Sequence, residues 1–147
     1  MKIIDPHLHL FNLPDGDYAW LKSDNAPYWP DKKKIHRSFS EQELTLADQN
    51  GNEPLSLGGF VHIEAGFDNQ HPWREISWLE SHCQHPFRSI ATIDLTLATP
   101  AFEQSLIKLC EYKSVVGGRH ILDEQAVELL LNPQVQCNLT CLAKYQL

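Results

Sequence analysis

The stretch Ile3-Ile4-Asp5-Pro6-His7-Leu8-His9-Leu10 decides how the rest of the chain is read. A short apolar run, the signature of a buried strand, leads into two histidines one residue apart. Side chains alternate faces along a strand, so His7 and His9 point the same way, and Asp5 shares their parity. Two imidazoles on one face can converge on one small target, either a divalent metal such as zinc or a polarised carbonyl oxygen. The spacing alone is a weak signal, since polar residues where a strand runs out into a loop would also account for it. Position favours the functional reading, because α/β active sites lie at the carboxyl ends of strands.

Downstream, residues from about 11 to 39 form a long irregular segment rich in proline and in the aromatics Tyr18, Trp20, Tyr28 and Trp29. Such residues bury area when ordered, so the segment is expected to fold over the end of the first strand. Ser40-Glu41-Gln42-Glu43 matches a capping box and predicts a helix over about 41–49, ended by Asn50-Gly51. Strands are expected over about 57–65, 89–95 and 115–122, with helices over about 72–82, 100–112, 124–131 and from Pro133 to the end. Thr99 is the expected cap of the third helix. The order β-α-β-α-β-α-β-α, with strands apolar on both faces, predicts a parallel sheet covered by helices.

Composition narrows the function. The chain has 147 residues, 42% of them hydrophobic and 21% charged, as expected for one globular domain. A net charge of -7 argues against nucleic-acid and anionic-membrane partners. The triplet Lys32-Lys33-Lys34 reads as a solvated loop. No apolar run reaches membrane-spanning length, and a cytoplasmic location is the default expectation. Cys83, Cys110, Cys137 and Cys141 read as reduced thiols acting as small hydrophobes, Cys137 and Cys141 sharing a helix face.

In a parallel sheet all carboxyl ends share one edge. That edge is expected to gather His7, His9, His62, Glu64, Asp94, Arg119 and His120. Hydrolysis of a polarised carbonyl suits these groups: His7 and His9 as catalytic residues or metal ligands, Arg119 as a fork for a carboxylate or oxyanion. Each has a bland alternative, His62 and His120 as core histidines and Asp94 as a helix cap. No residue stands out as the base that takes a proton from water, Glu64 being the best internal candidate.

Ile4-Asp5-Pro6-His7-Leu8-His9-Leu10-Phe11, Tyr18-Ala19-Trp20-Leu21, Val61-His62-Ile63-Glu64-Ala65, Gly117-Gly118-Arg119-His120 and Leu131-Asn132-Pro133-Gln134-Val135 together resemble the amidohydrolase-related hydrolases, in the branch similar to 2-pyrone-4,6-dicarboxylate lactonase and the L-fucono- and L-rhamnono-lactonases. The resemblance implies a (β/α)8 barrel, typically ~250 residues, of which residues 1–147 would form the N-terminal half in one partial domain of about four βα units. It implies His7 and His9 as the strand-one pair, Arg119 as a contact to an anionic lactone or carboxylate substrate, and His62 and His120 as substrate-pocket residues. Zinc, another divalent metal or no metal is compatible with that branch. The family's general base is an aspartate of the last barrel strand, so the chain alone is expected to be weakly active or inactive. Two rivals stand beside this reading. One is a non-catalytic fragment that self-associates or binds a partner through open strand edges; the other is a small metal-binding protein using His7, His9 and His62.

Overall fold

A computed structural model describes residues 1–22, 24–44 and 56–147. Its centre is a four-stranded sheet of β1 (Lys2–Leu8), β2 (Ser56–Ile63), β3 (Phe87–Thr92) and β4 (Val115–Arg119), in the spatial order β1-β2-β3-β4. All three pairings are parallel. Helices α1 (Trp73–His82), α2 (Thr99–Leu109), α3 (Ala126–Leu131) and α4 (Pro133–Lys144) follow β2, β3 and β4. The chain is thus α/β, as its alternation predicts.

The helices gather on one side of the sheet. Phe60, Ala91 and Ile93 pack there against Ile76 and Leu79 of α1, Phe102, Leu106 and Leu109 of α2, and Val135 and Cys141 of α4. The other side of the sheet carries none of these four helices. Ile4 is 70% exposed and Val116 47% exposed. Successive crossovers that never reverse direction place the helices of the described residues on the same face.

Local chemistry explains the elements. Pro133 occupies the first turn of α4, and the Asn132 side chain accepts from Gln134 N at 2.8 Å, as the cap signal predicts. The capping box is half formed: Glu43 Oε2 accepts from Ser40 N at 3.1 Å, and residues 41–44 are helical. The rest of that expected helix lies outside the described residues. Thr99 does not cap α2, which begins one residue earlier at an Ala98 cap; its hydroxyl instead accepts from Gln134 Nε2 at 2.7 Å, tying α2 to α4. Gly59 is needed for close approach, because a Cβ there would lie 2.7 Å from Pro86 O. The cysteine expectation is corrected in part: Cys141 is buried and burial pushes the half-buried Cys83 thiol up to about 12, but Cys110 and Cys137 are exposed.

The aromatic segment folds over the carboxyl ends of β1 and β2, as expected. Its base is closed by Phe11 and Phe39, whose backbone N–H and C=O groups pair both ways at 3.0 Å. Phe11, Tyr18 and Leu21 bury against Ala65 and Phe67 just beyond β2. Trp20 Nε1 donates to Ala65 O at 2.7 Å, and Gly66, at positive φ, lacks the Cβ that would lie 2.8 Å from that indole. Lys32 departs from its reading as a solvated residue. It is buried, and its ammonium donates to the carbonyls of Lys22 and Asn25 at 2.8 and 2.6 Å. Lys33 and Lys34 are exposed. Among the described residues no helix is long and apolar enough to cross a membrane.

The one-sided core sets a stability contrast. Leu106→Ala, in a fully buried site facing the sheet, should cost about 2–5 kcal/mol in urea denaturation. Ile4→Ala on the open face should change stability by about 0.5 kcal/mol or less. Equal losses at the two positions would mean that the open face is covered in solution.

Candidate functional site

At the carboxyl end of β1 the two histidines converge. Their Nε2 atoms lie 3.2 Å apart, with ring planes at 69°. His9 Nδ1 sits 2.9 Å from Ile63 O and 3.1 Å from Glu64 O. Carbonyls only accept, so Nδ1 carries the proton and Nε2 presents its lone pair. In the neutral pair, His7 Nε2–H donates to that lone pair. Pro6 brings no N–H to the β1–β2 ladder, whose register shifts between Asp5 and Leu8. Asp5 braces the backbone here, accepting from His7 N at 2.9 Å. The His9 ring titrates below its ordinary 6.5, chiefly because burial disfavours the charged form; the two carbonyls oppose this shift, and the His62 and His7 imidazoles add to it.

The same edge holds Glu64 and Arg119. Glu64 Oε1 accepts from Arg119 Nη1 at 2.8 Å, while Oε2 accepts from Thr92 Oγ1 and Gly66 N, both at 3.1 Å. The Glu64 carboxylate is 6% exposed and the Arg119 side chain 39%. Burial raises the Glu64 pKa, with a contribution from the Glu75 charge and against the pull of Arg119. Thr92 and Arg119 are direct partners in the β3–β4 register, so one carboxylate ties the ends of three strands together. Arg119 is therefore already ion-paired, with the rest of its guanidinium open to a ligand anion.

His62 does not join this group. It is fully buried and turned toward α1, where both ring nitrogens are used. Nδ1 accepts from Leu10 N at 3.3 Å, and Nε2–H donates to Glu75 Oε1 at 3.0 Å. Glu75 Oε1 also accepts from Ala65 N at 2.8 Å. The expected substrate-pocket role of His62 thus gives way to a joint between β1, β2 and α1. His120 Nδ1 lies 3.1 Å from Ile93 O and 3.3 Å from Leu95 N, bracing the turn after β3. Asp94 closes that turn, its Oδ1 accepting from Thr96 N and Oγ1. Of the seven expected residues, contacts link His7, His9, Glu64 and Arg119. Glu75 was missed, although its sequence position carried a signal: it stands four residues before Leu79, on the apolar stripe of α1.

The donor set falls short of a metal site. Among the described residues no three of His, Cys, Asp and Glu are grouped so as to hold an ion. Catalytic zinc takes three protein ligands, and the edge offers two imidazoles. The described residues therefore do not fit a resident metal, neither the zinc compatible with the lactonase resemblance nor the ion of a His7, His9 and His62 site.

Two outcomes follow. Glu75→Ala strands the buried Ala65 N–H and the His62 ring N–H, and should cost about 3 kcal/mol in urea unfolding, with Glu75→Gln costing less. For His9, the folded state favours the neutral ring. Its stabilising contribution is complete above pH 6.5 and is lost as pH falls through the lowered value, because the unfolded chain takes up the proton first. Between about pH 7.5 and about pH 5, His9→Asn should lose less stability than the wild type. Equal losses would disprove the assignment.

Comparison with known proteins adds length more than identity. An uncharacterized protein, y4mH, from Sinorhizobium fredii (strain NBRC 101917 / NGR234) is 33% identical over 81 residues, covering 54% of this chain and 26% of that protein. The chain thus matches about a quarter of the relative, which is about 310 residues long, since 81 residues make up 26% of it. No family model and no solved structure matches.

Proposed function

We propose that the chain forms the first four βα units of a (β/α)8 barrel akin to the amidohydrolase-related lactonases, and that its edge site belongs to the opening of a cyclic ester. The observation that carries this reading is the convergence of His7 and His9 at the carboxyl end of a parallel sheet wound in sequence order. A barrel has that strand order, covers one face with helices and fills the other with layered side chains. Ile4 and Val116 would belong to that filling. The relative of about 310 residues is of barrel length.

The chemistry follows from the protons. On ligand binding, His7 Nε2–H would leave the His9 lone pair and donate to a lactone carbonyl oxygen, drawing electron density from the carbon that water attacks. The open part of the Arg119 guanidinium suits a substrate carboxylate, with Glu64 holding the fork in place. Water then adds to the carbon, the ring C–O bond breaks, and a hydroxy acid is released. The water proton needs a base. Glu64 is committed to three donors, so that role falls to a group beyond this edge, as the family resemblance implies. A general base contributes about 10²–10⁴-fold, so the chain alone should turn over lactones slower by such a factor than an intact barrel.

Titration with sugar lactones and pyrone carboxylates, followed by NMR of the imidazoles, tests the reading. A carboxylate-bearing lactone should shift the His7 and His9 ring signals saturably, and Arg119→Ala should weaken its binding about tenfold. No shift with any member of the panel would reject the proposal.

A second reading, a self-associating fragment, draws on the apolar surface beyond β4. None of the six residues of α3 is buried, and Ile121, Leu122, Val127 and Leu131 are exposed nearby. Sedimentation should then show concentration-dependent association, and a monodisperse monomer would count against it.

A further inference from the structure

Between the start of α1 and the exposed side of α2 lies a cleft of about 410 Å3, within the span of roughly 300–1,000 Å3 usual for small-ligand sites. It adjoins the edge site, sharing Thr92, whose hydroxyl is spent on Glu64, but contains neither His7 nor His9. Three of its side chains, Asn69, Gln70 and Gln104, are exposed amides that make no hydrogen bond among the described residues. Each offers two N–H donors and a carbonyl acceptor. A fourth polar group, Asp94, has Oδ1 engaged by Thr96, which leaves Oδ2 as an open acceptor. Trp73 and Leu97 supply apolar wall.

The charges narrow the ligand class. Lys108 lines the cleft, but its ammonium is already held by Glu111 at 2.6 Å. An anionic ligand would face Asp94, beside a lysine whose charge is already offset by Glu111. What remains is an aromatic and aliphatic wall with several neutral amides and one open carboxylate oxygen. That set matches a small molecule with many hydroxyls and an apolar C–H face. We propose that this cleft is a binding site for a neutral sugar or similar polyol. Trp73 would pack on the sugar's C–H face, and Gln70, Gln104 and Asp94 would take its hydroxyls. The inference does not rest on the hydrolase reading, because no atom of the His7–His9 pair is involved.

The test uses the intact chain and five neutral sugars: glucose, galactose, mannose, xylose and arabinose. Intrinsic tryptophan fluorescence and side-chain amide NMR would be followed during titration. At least one sugar should give a saturable change with a dissociation constant of about 1 mM to 10 mM. Gln104→Ala and Gln70→Ala, both at exposed positions and checked for unchanged thermal melting, should each weaken binding about tenfold. The proposal is overturned if no sugar of the five gives saturation, or if both glutamine variants bind like the wild type. It is equally overturned if Arg119→Ala abolishes sugar binding, since the ligand would then occupy the sheet edge instead.

Discussion

A parallel sheet whose crossovers all run in one sense can cover only one of its faces with its own helices, and that asymmetry governs this molecule. Ile76, Leu79, Phe102, Leu106 and Leu109 are all fully buried against the covered face. The open face keeps half-exposed side chains such as Thr92 and Arg119 beside the apolar Ile4 and Val116. Parallel strands also bring every carboxyl end to one edge, so the open face and that edge meet where the polar groups stand. Placement of the candidate site is thus a consequence of topology before any side chain is considered.

What holds the edge in shape is backbone as much as side chain. His9 is oriented by the carbonyls of Ile63 and Glu64, at the point where β2 ends and the chain turns through Gly66. Behind it, the buried His62–Glu75 contact ties Leu10, Ala65 and α1 into one unit. Each ring nitrogen of His62 and the shared oxygen of Glu75 has a partner, which is the condition for tolerating such groups in a dry interior. The aromatic segment closes over the same region through Trp20 and Ala65 O. An alteration of the Ala65 backbone would therefore reach both the loop and the helix layer.

The alternation of elements, the N-terminal cap of α4 and the position of the His7–His9 pair were legible from local pattern, because strand parity and capping depend on neighbours in sequence. The base of the aromatic segment was legible too, since Phe11 and Phe39 bound it and pair with each other. Illegible were roles set by distant backbone groups. Nothing near Lys32 announces that its ammonium will be enclosed by the carbonyls of Lys22 and Asn25. Asn138 likewise sits buried on α4 because the carbonyls of Leu95 and Leu97 need its amide, about 40 residues away. His62 was misread because parity assigns a side chain to a face without saying which face is wet.

The pairing of Arg119 with Glu64 constrains how an anion could bind at the edge. Glu64 is almost fully buried, and its charge is tolerated there because Arg119, Thr92 and Gly66 all donate to it. Taking Arg119 away would leave that carboxylate with two neutral donors, and breaking a buried pair costs more than the pair contributes when whole. A ligand carboxylate consequently gains most by meeting the guanidinium nitrogens that Glu64 does not use. The fork then serves two anions at once, held from behind by the protein and open in front. Lysine could not replace it, since a single ammonium has no planar array of five donors to divide between them.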